Sequence, residues 1–154
     1  MVIIKEMSVV EKIDKIGSYI GYIQSIPPKI LGWISDNTIC KYDRSFPLAS
    51  ATSMIISTVM PIISTYDDSK TITEKHEIPA LIPSLAVKTD DGTWNLYSNV
   101  VIIFEVKYDK AKDNHTDTDI ITQTFNMKMV TKSNDIKTGL SLFDLFSAFD
   151  GRVM

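Results

Sequence analysis

Several features common in enzymes and in secreted proteins are scarce in this chain of 154 residues. Cys40 is the single cysteine, so no disulfide can form within the chain, and we expect a reducing, cytoplasmic location. The six glycines are scattered singly, which excludes the glycine-rich loops that hold phosphates in nucleotide-binding enzymes. The first residues turn charged at Lys5, so we expect no secretory signal.

Basic clusters and long apolar runs are missing as well. The net charge is −3, and acidic side chains outnumber basic ones in residues 61–120. Because phosphate binding needs clustered Lys and Arg, we expect no nucleic-acid partner. The most apolar stretch, residues 54–63, includes Pro61 and is far shorter than a membrane span. The sequence therefore predicts one soluble intracellular domain, residues 1–154, with peripheral membrane contact as an open alternative.

The second half of the chain carries a strong signal for β-strands. Residues 89–93 read Thr-Asp-Asp-Gly-Thr and predict a hairpin turn, since Gly92 can adopt the positive φ of a short loop. Apolar and polar residues then alternate over residues 94–108 and again over residues 120–131. These two segments are predicted to pair as antiparallel strands, joined by a long polar loop.

A period of two gives each of these strands one core face and one opposite face. The predicted core face comprises Trp94, Leu96, Val100, Ile102, Phe104, Val106 and Tyr108 on the first strand, and Ile121, Phe125, Met127 and Met129 on the second. The opposite face is not uniformly polar, because it carries Tyr97, Val101 and Ile103. We expect a helix, a second sheet layer or another subunit to cover it.

A helix is predicted near the start of the chain. Ser8 and Glu11 fit a capping box, in which both side chains satisfy free N–H groups of the first turn. From Val9 onward, apolar residues recur at steps of four and three, which predicts an amphipathic helix over residues 9–25. Pro27 ends it, because the residue before a proline is pushed out of helical geometry.

A short second helix is predicted near the end of the chain. Ser141 can cap it, and Gly151 stops it shortly after Phe149. It is apolar around most of its circumference, so it must be buried in its own domain or in a partner's groove. This gives a candidate self-association surface: Leu142, Phe143, Leu145, Phe146 and Phe149.

The middle of the chain is less regular. In residues 48–66 some apolar residues have helical spacing, but the density of Ser, Thr and Ile favours a strand, which we predict. Residues 78–84 contain two prolines and are predicted to be an extended connector. The predicted fold is α+β: an antiparallel sheet with a helix at each end of the chain, and a two-layered sandwich as an alternative arrangement of the strands.

Candidate chemistry is sparse. Residues 113–119 place acidic and polar side chains at alternate positions but lack the glycine and the final glutamate of a calcium-binding EF-hand loop, which favours a solvated loop. His76 and His115 are the only histidines, which leaves few options for a catalytic base or a metal site. Cys40 is interpreted as a half-buried structural thiol. We assign no catalytic, cofactor-binding or metal-binding residue from sequence.

Two hypotheses for the function follow. The first is a non-enzymatic structural or assembly protein, such as a small viral capsid or matrix-type subunit, that forms a homo-oligomer through self-association surfaces. The second is a small enzyme or ligand-binding domain with a site built from scattered residues: His76, Glu77, Glu105 and the loop 113–119. The lack of any motif favours the first. Paired carboxylates need no local motif, so the sequence leaves enzymatic activity open.

Overall fold

The computed structural model describes residues 1–14, 26–41, 48–58, 75–112 and 119–151. Within them the chain is mostly antiparallel β-sheet with a few short helices. The elements in chain order are β1 (Val2–Asp14), α1 (Pro28–Asn37), β2 (Thr38–Cys40), α2 (Thr52–Thr58), β3 (Lys75–Lys88), β4 (Trp94–Lys112), β5 (Asp119–Thr131), β6 (Ile136–Leu140) and α3 (Leu142–Gly151).

All the described strands belong to one sheet, in the order β1-β5-β4-β3-β2, with β6 beside the first part of β4. The predicted antiparallel pair is confirmed as β4 and β5, whose register runs from Val100 opposite Thr131 to Lys112 opposite Asp119. Strand β4 is long enough to pair first with β6 and then with β5 along the same edge. It is therefore the central strand of the molecule.

The predicted helix over residues 9–25 is wrong where the structure describes the segment. Residues 2–14 form strand β1, which pairs with β5 so that Val9 lies opposite Phe125. The step of four from Val9 to Ile13 is an even number, so it fits the period of a strand as well as that of a helix. The β-branched residues of this segment favour the strand. Residues 15–25 lie outside the described residues.

The middle of the chain departs from prediction in two places. The strand predicted over residues 48–66 is wrong over Thr52–Thr58, which form helix α2 with Ile55 fully buried, while Ala49 makes an isolated antiparallel bridge with Cys40. The helical spacing was the better guide there, and residues 59–66 lie outside the described residues. The predicted connector over residues 78–84 is extended but is part of strand β3, paired with β4.

The predicted turn between β3 and β4 is confirmed. The backbone N–H of Thr89 donates to the carbonyl of Thr93 at 2.8 Å, and Gly92 has a φ of 86°. The Asp91 carboxylate accepts hydrogen bonds from the Thr89 hydroxyl and from both the backbone N–H (3.0 Å) and the hydroxyl (2.7 Å) of Thr93. These bonds favour the charged form and lower the pKa of Asp91 to about 2.

The main core lies between one face of the sheet and helices α1 and α2. Its buried side chains include Ile30, Ile34, Ile55, Ile78, Ala80, Ile82, Val100, Ile102, Phe104, Val106, Phe125, Met127 and Met129. The ring centroids of Phe104 and Phe125 lie 5.8 Å apart, and the two ring planes are tilted by 45° to each other. The predicted core residues of β4 and β5 whose side chains the structure describes are therefore all buried, although not all in this core.

A second, smaller core lies at the beginning of β4, where Trp94 and Leu96 pack with Ala86 and helix α3. Tyr97, predicted on the opposite face, is buried in the main core together with Val100. Residues three apart in a regular strand point to opposite faces, so the alternation inverts between these two positions. The predicted single core face of β4 is therefore divided between two cores.

The cause of this inversion is local. Asn99 has a φ of 51°, a left-handed conformation that asparagine tolerates better than most other residues. Strand β3 changes at the facing position, because Ile82 and Leu85 both belong to the main core although they are three residues apart. Pro83 lies between them, and the register passes from Ile82 opposite Val100 to Ser84 opposite Ser98 without pairing Pro83 and Asn99. The alternation of side chains between the two faces of the sheet therefore inverts at facing positions of β3 and β4.

The predicted C-terminal helix is confirmed as α3, Leu142–Gly151. The hydroxyl oxygen of Ser141 accepts the backbone N–H of Asp144 at 3.2 Å, which is the predicted N-cap. In the part of the chain that the structure describes, no helix is long and apolar enough to cross a membrane.

Candidate functional site

The five residues of the candidate self-association surface separate into two groups in the structure. Leu145 and Phe149 are buried in the second core, where they pack with Trp94 and Leu96. They hold α3 against the sheet, because burying a large apolar side chain stabilises a contact by about 1.5–3 kcal/mol. These two residues are part of the chain's own core and are not exposed for contact with a partner.

The other three residues face solvent. Phe143 is 78% exposed, Leu142 is 47% exposed and Phe146 is 42% exposed. Residues three and four positions apart are neighbours on a helix surface, so Phe146 lies beside both Phe143 and Leu142, and the three form one apolar patch. We call these three residues the α3 surface. The helix that carries them is fixed at its start by the Ser141 cap and along its length by Leu145 and Phe149.

A second candidate site lies on the face of the sheet that points away from the main core. There a cleft of about 520 Å³ crosses strands β1, β5, β4 and β3. Its polar lining comprises Glu6, Ser8, Glu77, Glu105, Asn126 and Lys128. We call it the outer cleft. Ile103, which was predicted to need cover on this face, also lines it and is partly exposed.

The register explains how these side chains come together. Ser8, Asn126, Glu105 and Glu77 lie directly opposite one another on four neighbouring strands. The amide nitrogen of Asn126 donates to Glu105 Oε1 at 3.0 Å, so this carboxylate is held in place. Glu77 lies on the adjacent strand, and cross-strand neighbours have Cβ atoms about 4.5–5.5 Å apart. Two carboxylates therefore lie side by side in the cleft.

An ion pair between two described residues borders the outer cleft. Lys128 Nζ lies 3.8 Å from Glu6 Oε1, and both side chains are well exposed to solvent. An exposed pair of this kind contributes about 0–1 kcal/mol, so it tunes the charge of the cleft more than it stabilises the fold. Among the described residues that line the cleft, Glu6, Glu77 and Glu105 outnumber Lys128, so this part of the lining is acidic.

The structure brings together only part of the predicted scattered site. Glu77 and Glu105 lie directly opposite each other, whereas His76 occupies the neighbouring register position, opposite Val106. The described end of the acidic loop, Asp119, lies opposite Lys112, about 23 Å along the strand from Glu105 at about 3.3 Å per residue. Residues 113–118, which include His115, lie outside the described residues.

Neither the buried thiol nor a metal centre adds to these candidates. Cys40 lies in β2 and is fully buried in the main core, more deeply than predicted. Among the described residues no group of His, Cys, Asp and Glu side chains could hold a metal ion.

Sequence reasoning missed the cleft residues on β1, Glu6 and Ser8, because it assigned Ser8 to the cap of a helix. The sequence did contain a signal for a strand here, because Met7, Val9 and Ile13 are all odd-numbered and would share one face of it. The even-numbered Glu6 and Ser8 would then lie on the other face. Asn126 lies between the predicted core residues Phe125 and Met127, so the alternation places it on the opposite face of its strand. Only the order of the strands, which alternation does not give, puts it beside Glu105.

We find no match to this chain among known family models, curated proteins or solved structures. The surfaces described above are therefore the basis for a functional proposal.

Proposed function

We propose that this protein is a non-enzymatic structural or assembly protein that forms homo-oligomers through the α3 surface, in the cytoplasm. A small viral capsid or matrix-type subunit is the kind of protein that would work in this way. The observation that supports the proposal is the exposure of Phe143, together with Leu142 and Phe146, on a helix that is itself fixed to the sheet.

The physical reason is the cost of leaving such a patch in water. Removing apolar surface from water contributes about 25 cal/mol per Å², and aromatic side chains bring the largest area at low conformational cost. Contiguous exposed apolar patches commonly mark interaction sites. A second copy fits because a patch on one face of a helix can meet itself across a two-fold axis, where each copy covers the other.

The test measures the size of the protein in solution. We expect sedimentation velocity of the wild-type chain to show an oligomer whose population rises with protein concentration. The double variant Phe143→Ser/Phe146→Ser should shift this equilibrium at least tenfold toward the smaller species. Ile56→Ser is the matched control, because Ile56 is an exposed apolar residue of another helix, α2. A wild-type chain that is monomeric at every concentration would contradict the proposal.

Point substitutions are preferable to deletion of the helix. Removing α3 would uncover Trp94 and Leu96 and would create a new apolar surface that can associate for unrelated reasons. The two substitutions leave Leu145 and Phe149 in place, so the second core stays filled.

The alternative of a small enzyme or ligand-binding domain is supported by one observation, the juxtaposition of Glu77 and Glu105 in the outer cleft. Ligand-observed NMR with a library of small polar fragments tests it. Ligands of this site should lose binding in Glu105→Gln and keep it in Glu11→Gln, a control on the same sheet outside the cleft lining. Fragments that bind both variants equally would remove this alternative.

A further inference from the structure

Strand β1 is a long edge of the sheet. It covers Val2–Asp14 and lies at one end of the strand order, where no other described strand pairs with its outer side. An edge strand presents a row of N–H and C=O groups that can pair with a further strand. A long edge of this kind is either protected by specific features or used for association.

The opposite edge of the sheet carries residues that disfavour pairing with a further strand. There β2 pairs only with Leu85, Ala86 and Val87, which leaves the earlier part of β3 without a described neighbour on its outer side. Pro79 and Pro83 lie in that part, and a proline has no N–H to offer to another strand. Strand β1 contains no proline.

Among the described residues, the irregular part of the β1 pairing lies at the start of the strand. A register shift between Ile3 and Lys5 marks a bulge, and Lys5 directs its ammonium group to within 4.9 Å of the centroid of the Trp33 ring. A bulge of this kind disfavours edge pairing at the start of the strand. From Lys5 onward the register with β5 is regular, and Val10 is 61% exposed.

We propose that a second copy of the chain pairs its β1 with this edge in antiparallel orientation, centred on Ser8, so that one sheet continues through both subunits. The inference rests on the proposed function in that the partner is a second copy, but it uses a different surface from the α3 surface. Either interface can therefore fail without the other.

The register follows from the faces and the charges. Directly opposite residues of two paired strands point to the same face of the sheet. The core faces of the two copies therefore align only when odd-numbered residues of β1 lie opposite odd-numbered residues of the partner's β1. With Ser8 at the centre, Lys5 lies opposite the partner's Glu11, and Met7 lies opposite the partner's Val9. Each of these pairs occurs twice because of the two-fold symmetry. On the core face this register therefore matches opposite charges and apolar residues, and both kinds of pair favour strand association.

Cysteine cross-linking tests the pairing in the full-length chain. In the Ser8→Cys variant the two new thiols would lie directly opposite each other, with Cβ atoms about 4.5–5.5 Å apart. In the matched control Val10→Cys, on the same face, they would be four residues out of register and about 13 Å apart. Cys40 is fully buried and does not interfere. Under mild oxidation we expect a disulfide-linked dimer from Ser8→Cys and none from the control.

Each outcome bears on one proposal or the other. Equal cross-linking of both variants, or none in either while the chain is oligomeric, overturns the β1 pairing. Cross-linking of Ser8→Cys that persists with Phe143→Ser/Phe146→Ser supports the pairing and argues against the α3 surface as the sole interface. A wild-type chain that is monomeric throughout, with no cross-linked product, overturns both.

Lysine substitutions give a second test without oxidation. Ser8→Lys places two lysines opposite each other at the centre and should weaken dimerisation at least tenfold. Val10→Lys, on the same face, places each lysine opposite the partner's Glu6 and should leave the dimer intact or tighten it. Equal weakening by both substitutions in sedimentation velocity would contradict the register.

Discussion

Asp91 shows how a single side chain organises a turn. Its carboxylate collects three hydrogen bonds from Thr89 and Thr93 within the hairpin loop that joins β3 and β4. The loop closes the pair of strands that carries both cores of the molecule, so its local chemistry affects the register of the whole hairpin.

The ionisation of Asp91 gives a prediction about pH. Its pKa in the folded chain is about 2, below the ordinary value of 3.8. The unfolded chain therefore binds the proton more readily, and the stabilisation from Asp91 is present above about pH 4 and is lost as the pH falls through about 2. NMR titration of the Asp91 carboxyl carbon should show a midpoint near 2. In Asp91→Asn this part of the pH dependence of stability should vanish, and a midpoint near 3.8 in the wild type would contradict the hydrogen bonding described here.

Asn99 gives a second prediction at the scale of one residue. Its φ of 51° suits asparagine or glycine and is costly for a β-branched side chain. Asn99→Val should lower the free energy of unfolding by about 1–2 kcal/mol, while Asn99→Gly, the matched control, should change it by a few tenths. Urea denaturation measures both. Similar values for the two variants would show that the backbone at this position is not left-handed in solution.

At the scale of elements, helix α3 separates stability from association. Phe149→Ala should lower the free energy of unfolding by about 3–5 kcal/mol, because it leaves a cavity in the second core beside Trp94 and Leu96. Phe143→Ala should change it by about 0.5 kcal/mol or less, since this side chain faces solvent. Chemical denaturation at low protein concentration checks both values. An equal loss for the two variants would mean that Phe143 is buried.

Elements whose apolar pattern fits only one repeat, that of a strand or that of a helix, were predictable from sequence. Elements whose pattern fits both repeats were not. The alternation over residues 94–108 holds for many residues in a row, so only a strand fits it. In β1 the steps of four fit both periods, and the sequence does not show that β5 would offer a partner. In α2 the β-branched content favoured a strand, but packing of Ile55 in the main core outweighed intrinsic preference.

The two candidate sites were predictable to different degrees. The helix that carries the α3 surface was predicted because a short apolar helix is a local feature of the sequence. Which of its sides packs inward depends on Trp94 and Leu96, more than forty residues away in the chain. The outer cleft depends on the order of four strands, so Glu105 and Glu77 were found as separate residues and Glu6 was missed. The inversion at Asn99 had no sequence signal that alternation could detect, because buried residues continue on the same parity through it.

At the scale of the whole molecule, the two proposed interfaces lie on different elements and differ in kind. The α3 surface offers apolar side chains, whereas β1 offers backbone hydrogen-bonding groups. Each surface is proposed to pair with the same surface of a second copy. An interface of this kind gives a dimer and no larger assembly when it acts alone. A chain with two such interfaces can bind two partners, so its assemblies are expected to grow beyond a dimer.

This gives the last prediction, about the size of the assemblies. Ser8→Lys should leave only dimers formed through the α3 surface, and Phe143→Ser/Phe146→Ser should leave only dimers formed through β1. The combined variant should be monomeric, and the wild type at high concentration should exceed a dimer. Light scattering coupled to size-exclusion chromatography measures all four masses. If either set of substitutions alone gave a monomer, the chain would have one interface rather than two, and the surface whose substitution removed the dimer would be that interface.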